Sequence, residues 1–487
     1  MLIRRILCAF AVGLVASIAF AQQAPRKGLD PSALTHAEIS AAKTPASLSR
    51  LAAIYKERGD LERLEWTLER LSELLPASGD VKLGLAKTYA LRDEKSKAYD
   101  LLLKLQKQGY GYDLSKDADF AKVTGTKVWP YILGELGRNA APSGEGKVAF
   151  SLPAGDHLYE SLAFDPKRGQ LLVGSVRDGS IQLVGKDGSL SPFIAADASN
   201  GLWSVYAMAA APDEDALYVA STASVYFRKF DQADFGKAGV FKFQLSNGKL
   251  LGKYLLTPDA KPRTLSSIAV GKGGLAFAAD GLRNVIYRLD GAALKPVVAN
   301  PRLTSLRGLA VSGDGKNLYF ADYALGVFGV DLTAGTAFDL IHDASKVPLA
   351  GIDGLYWYDN ALVAIQNGMV PRRVLRLHLD DSGRAVVRAV VIDSGNSEFS
   401  LPSYGTIDGD HLEFIANSQK NGYDAYGNPI DVSKLAPVKV FRSNLRYSWD
   451  TGGVVMPRPH RVVVSESKPG SGRFTNVEGG SQSVTGN

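Results

Sequence analysis

The chain has 487 residues, a formal net charge of +6 and a single cysteine, Cys8. That length asks for two or three domains rather than one, and the charge is far too dilute for the dense basic surface that nucleic-acid binding requires. One cysteine leaves no disulfide framework and no thiolate zinc site.

Met1 to Ala21 reads as a secretory leader, with Arg4 and Arg5, an apolar run from Ile6 to Phe20, and small residues at Ala19 and Ala21. A run of about 15 apolar residues falls short of the roughly 20 that a spanning helix needs. Residues 1–21 are therefore expected to be cleaved, leaving a periplasmic or secreted protein without a membrane span, and 22–44 reads as a linker. Between Ser47 and Leu105 apolar residues recur after 34 positions: Leu51 with Leu85, Ala52 with Ala86, Tyr55 with Tyr89, Leu64 with Ala98, Leu68 with Leu102, and Leu71 with Leu105. The spacing inside each copy is helical, and Gly59-Asp60 and Pro76 to Gly79 supply turns. This resembles a pair of tetratricopeptide repeats, which implies a small all-α domain over 45–135 with a concave face for a protein partner. Two copies are few for a solenoid, so Phe120, Val123, Trp129 and Tyr131 are expected to cap them. Residues 136–146 read as a linker, because Gly137 to Gly146 has turn composition and no period.

From Lys147 onward a unit of strand, Gly/Asp turn and strand repeats. Its second strand appears six times, beginning at Leu171, Leu217, Leu275, Leu318, Leu362 and Leu412, in steps of 46, 58, 43, 44 and 50 residues. Four strands per unit of about 45 residues is β-propeller spacing. The fold class is accordingly mainly β, a six-bladed propeller over 147–445 behind the helical domain. Lys147 to Leu152 precedes the first full unit and is expected to pair with Val438 to Phe441, closing the ring. The 58-residue step holds an aromatic and charged insert, Tyr226 to Lys237, read either as a plain long loop or as a rim over the central opening. Residues 446–487 read as a mostly disordered extension.

The phrases Ser161 to Gly169 with Gln170-Leu-Leu-Val-Gly-Ser, Arg307-Gly-Leu-Ala-Val-Ser-Gly-Asp-Gly with Leu318-Tyr-Phe-Ala-Asp, and Asp353-Gly-Leu with Ala361-Leu-Val-Ala resemble the senescence-marker-protein/gluconolactonase propellers and the related strictosidine-synthase-like and NHL proteins. The resemblance covers the propeller only, and fold alone does not name a substrate. It implies a site at the channel mouth, at the starts of the innermost strands, where lactonase members hold a divalent cation with a Glu of the first blade, an Asn of the fourth and an Asp of the fifth. Glu160 and Asp353 match the first and third. Arg307 stands where the Asn would be, and a further Asn of the third blade would fall near Ser266 and Ser267.

A guanidinium has no lone pair for a metal, and at about 4 Å in an effective dielectric near 20 it would repel a dication by about 8 kcal/mol. The expectation is therefore no cofactor, with a divalent cation such as calcium disfavoured by Arg307. Three readings of Glu160, Arg307 and Asp353 stay open. They form a salt-bridged plug in an interaction scaffold; or Arg307 receives a small anionic or sugar-derived ligand flanked by Trp203, Ser267, Tyr404 and Asn417; or Glu160 or Asp353 is the base of a lactonase or esterase in which Arg307 polarises the carbonyl. The six histidines form no zinc-protease phrase, and the chain has no G-x-S-x-G elbow or Walker loop.

Overall fold

The computed structural model describes residue 31, residues 34–259 and 261–446, and the backbone of Val454–Val455. The leader expected over 1–21 and nearly all of the extension expected over 446–487 lie outside the described residues. The chain divides into two compact units, residues 1–106 with 113–135, and residues 107–112 with 136–487.

The first unit is helical. α1 (His36–Ser40) lies within the stretch read as a linker and opens on a capping box, in which Thr35 and Glu38 each take the other's backbone amide. α2 (Pro45–Arg58) and α3 (Leu61–Leu74) are followed, 34 residues on at each start, by α4 (Gly79–Leu91) and α5 (Lys95–Lys107). Pro45 stands in the first turn, where its missing N–H leaves nothing unpaired. Gly59 ends α2 at φ 67°, and Asp60 and Ser78 cap α3 and α4. The recurring positions Tyr55, Leu64, Leu68, Leu71, Leu85, Ala86, Tyr89, Ala98, Leu102 and Leu105 are all buried.

Phe120, Val123 and Trp129 are buried as expected, whereas Tyr131, expected beside them, is 56% exposed. α6 (Val128–Ala140) runs four residues past Leu136, the start of the stretch read as a linker. A helical glycine costs only about 1 kcal/mol, too little for Gly134 and Gly137 to stop a helix whose Trp129, Ile132 and Leu136 are buried.

The second unit is a six-bladed β-propeller of antiparallel sheets. The innermost strands are Tyr159–Asp165, Ser204–Ala210, Leu265–Val270, Leu306–Val311, Ile352–Tyr358 and Gly405–Asp408. One apolar core lies between each pair of neighbouring blades: Leu172 and Ile181 of the first meet Val205, Val219 and Phe241 of the second, and so on round to the sixth. A lone sheet would leave those faces wet; radial stacking buries them. The ring closes as the sequence suggests. Lys147–Leu152 lies antiparallel to Val438–Asn444, from Lys147 opposite Arg442 to Leu152 opposite Val438. One element was not foreseen: Val454–Val455, in the stretch read as disordered, adds a fifth strand to the fifth blade beside Arg388 and Ala389.

The insert after the second blade's second strand packs against the inner-strand residue Tyr206 and the sixth-blade residue Tyr423. Tyr226 packs edge-on against Tyr423, ring centroids 6.3 Å apart, and both join Tyr206, Leu158, Val176 and Leu435 in a small apolar cluster. Arg177 fastens the arrangement, donating to the carbonyls of Tyr226 (2.8 Å) and Gly427 (2.7 Å) and, through Nε and Nη2, to the two oxygens of Asp156 (2.8 and 2.9 Å).

Candidate functional site

Five of the six innermost strands share one irregularity. Their ladders to the second strands slip between Tyr159 and Ser161, Val205 and Ala207, Leu265 and Ser267, Leu306 and Leu309, and Ile352 and Gly354. A bulge re-aims the side chain it carries, and the residues within these slips include Glu160, Tyr206, Ser266, Arg307 and Asp353. In the sixth blade Tyr404 stands just before the inner strand, its carbonyl accepting from Ile415 N at 3.1 Å. The backbone ahead of the bulges is tied down by side chains at the ends of second strands. Ser175 donates to His157 O at 2.6 Å, and the Asp280 carboxylate accepts from Thr264 N at 3.1 Å. Asp322 accepts from Thr304 N (2.6 Å), Thr304 Oγ1 (2.7 Å) and Ser305 N (3.0 Å), while Gln366 donates to Pro348 O and Ala350 O.

Glu160, Arg307 and Asp353 are brought together. Arg307 Nε lies 3.5 Å from Asp353 Oδ1, an ion pair whose side chains are 18% and 16% exposed. The guanidinium also lies over the Tyr323 ring, 5.6 Å from its centroid. Asn367 fixes the other Asp353 oxygen by donating to Oδ2, donates to Pro402 O at 2.8 Å, and accepts from the Tyr323 hydroxyl at 2.9 Å. Glu160 is buried and accepts a short hydrogen bond from Ser418 Oγ.

Burial pushes the Glu160 carboxyl above its ordinary value, with the charge of Lys420 and the Ser418 hydrogen bond opposing and Asp353 adding to the rise. For Arg307 burial works against the charge, but Asp353 and then Tyr404 outweigh it and hold the guanidinium more firmly protonated. Burial likewise lifts the phenols of Tyr404 and Tyr206, and the charge of Glu160 reaches both.

Tyr404 belongs to the cluster as expected, but three other expected residues do not. Trp203 packs edge-on to Phe241, 6.0 Å between centroids, and its indole N–H donates to Asp234 at 3.0 Å, in the layer between the first and second blades. Asn417 spends its amide on the backbone, donating to Pro437 O (3.0 Å) and accepting from Lys439 N (2.6 Å), and the next residue, Ser418, is the one that reaches Glu160. Ser267 lies in the regular ladder opposite Ala279, and Ser266 holds the bulge. Tyr206, Asn367, Tyr323 and Ser418 were missed. Only Tyr206 carried a signal, through its place three residues after Trp203 at the start of an inner strand.

The donor set does not suit a divalent cation. One of its carboxylates, Asp353, is paired with a guanidinium, the other, Glu160, is raised above its ordinary value by burial and accepts from Ser418, and the Asn367 carbonyl is taken by Tyr323. Among the described residues no three His, Cys, Asp or Glu side chains are grouped so that they could hold a metal ion. No helix of the described residues is long and apolar enough to cross a membrane.

No family model and no curated protein matches the chain. Solved structures similar to it include a calcium-binding protein, regucalcin, from Agrobacterium tumefaciens, 15% identical with a TM-score of 0.43 over 62% of this chain and 96% of that one. Two others are the PQQ-bound form of an aldose sugar dehydrogenase from Streptomyces coelicolor (15%, TM-score 0.39, 62% and 100%) and virginiamycin B lyase from Staphylococcus aureus (13%, 0.40, 62% and 100%).

Proposed function

We propose that the propeller binds a small organic anion, a carboxylate or sugar acid, at the mouth of its central channel. One observation carries the reading: the buried Tyr404 hydroxyl lies beside the Arg307 guanidinium, whose Nε Asp353 approaches to only 3.5 Å, so that neither buried donor has a well-formed hydrogen bond among the described residues. Buried donors of this kind are costly unless something accepts from them, and a planar guanidinium with an adjacent phenol suits a carboxylate. Asp353 orients the guanidinium from one side, and burial raises the Glu160 carboxyl above its ordinary value, which lessens its repulsion for an anion. The leader-like start of the sequence supports placing this activity outside the cytoplasm, in the periplasm or the medium. Hydrolysis of a lactone or ester would draw on the same groups, Asp353 as base and Arg307 on the carbonyl oxygen.

The 3.5 Å pair of Arg307 and Asp353 also favours a second reading, a plugged channel in a protein that serves as a scaffold for a partner. Calorimetric titration of the full chain with gluconate, glucuronate and glucono-lactone separates the two. Binding that falls at least tenfold in Arg307→Gln supports the channel site, and turnover of the lactone extends it to catalysis. No heat with any of the three compounds overturns the ligand reading and leaves the plug.

A further inference from the structure

A cavity whose lining includes none of Glu160, Arg307, Asp353 and Tyr404 lies against the second blade. Its volume is 550 Å³, and it is walled by the crossing from the first to the second blade, by the insert, and by the outer strand of the second blade with the residues after it. That volume falls within the range of about 300–1,000 Å³ usual for small-molecule sites. Leu202, Trp203, Phe227, Leu255, Leu256 and Pro258 give it an apolar wall. Trp203 is held in one orientation by Asp234, and Leu255 remains 48% exposed, an apolar surface without a cover.

Three lysines, Lys229, Lys237 and Lys253, meet this wall, and they are not equivalent. Lys237 is neutralised by Asp234 at 2.7 Å. The other acid of the lining, Asp197, is folded into its own loop, accepting from Ser199 N (2.8 Å), Ser199 Oγ (2.6 Å) and Asn200 N (3.0 Å). No carboxylate of the described residues forms an ion pair with Lys229 or Lys253. Lys229 donates only to the Ala196 carbonyl, at 3.3 Å, and Lys253 rests its ammonium over Phe241, 5.5 Å from the ring centroid. Gly201, at φ 67°, makes room for that ammonium, since a Cβ there would stand 2.7 Å from Lys253 Nζ.

Two lysines without an ion pair among the described residues, Lys229 with the charge of Asp197 in reach, complement one kind of molecule beside an apolar wall. We propose that this cavity is a binding site for an amphiphilic organic anion, a carboxylate on an apolar or aromatic body, whose head lies between Lys229 and Lys253 and whose body lies on Trp203 and Leu256. Titration of the full chain with 2-naphthoate and its neutral counterpart 2-naphthamide tests it. Naphthoate is expected to bind at least tenfold more tightly than the amide, to lose that advantage in Lys229→Gln/Lys253→Gln, and to keep it in Arg307→Gln. Equal binding of acid and amide, no binding, or a loss with Arg307→Gln in place of the lysine pair overturns the proposal. The last outcome would assign the anion to the central channel, so the two sites fail independently.

Discussion

Burial acts directly on Glu160. Its carboxyl is raised above the ordinary 4.5, first by burial and then by Asp353, against Lys420 and Ser418. The folded state therefore holds that proton more tightly than the unfolded chain does. The stability this contributes is full below about pH 4.5 and is lost as pH rises through the raised value. Glu160→Gln keeps an acceptor for Ser418 without the ionisation, so its thermal melt should match the parent's in acid and rise above it toward neutral pH. A difference that stays constant with pH would show that Glu160 does not titrate in that window. The same strand starts show why single residues were legible only in part. Glu160, Arg307 and Asp353 were marked by the resemblance to lactonase ligand positions, and with Tyr404 they stand at or just before the starts of inner strands. Ser266 and Ser267 were both marked and Ser267 was carried forward; the bulge falls at Ser266 and leaves no mark in composition. Asn417 and Ser418 are adjacent polar residues, and only the coordinates tell which one faces Glu160.

Among the elements, the helical hairpins were the most legible, since the 34-residue recurrence of apolar positions returns as helix starts 34 residues apart. Tyr55 shows what that pattern holds together. It is fully buried in α2, and its hydroxyl donates to Pro31 O at 2.7 Å. Tyr55→Ala should destabilise the helical unit by about 3–5 kcal/mol, as removal of a buried aromatic does, and Tyr55→Phe by only about 1 kcal/mol for the lost hydrogen bond. Urea unfolding followed by helical circular dichroism reads both; equal effects would place the stabilisation in the hydroxyl and not in packing. The misread elements have a common cause. α6 continues into a stretch of glycine and small residues because its buried face outweighs local propensity, and Val454–Val455 pairs with an open sheet edge inside a stretch whose overall composition hid two good strand formers. The insert could be read from its composition as a long loop or as a rim or lid over the central opening; it packs on Tyr206 and Tyr423.

At the scale of the whole propeller, the last blade is built from both ends of the domain. Leu152, fully buried, joins Val438, Val440 and Ile415 in the core between the sixth and first blades, while Val148 packs into the core between the fifth and sixth. Leu152→Ala should cost about 2–5 kcal/mol. If the closed ring unfolds as one body, hydrogen exchange will rise in the inner strands of all six blades together. A rise confined to Val438–Asn444 and its neighbours would mean that the blades open singly. The seam also imposes a schedule. Residue 147 cannot meet its partner until residue 442 has been made, and at about 5–20 residues per second that is a delay of about 15–60 s. Until then the first strand has no sheet to join and the flanks of the first and fifth blades face water. A nascent chain that pauses before its final blade is thus at greatest risk of pairing with a second copy of itself.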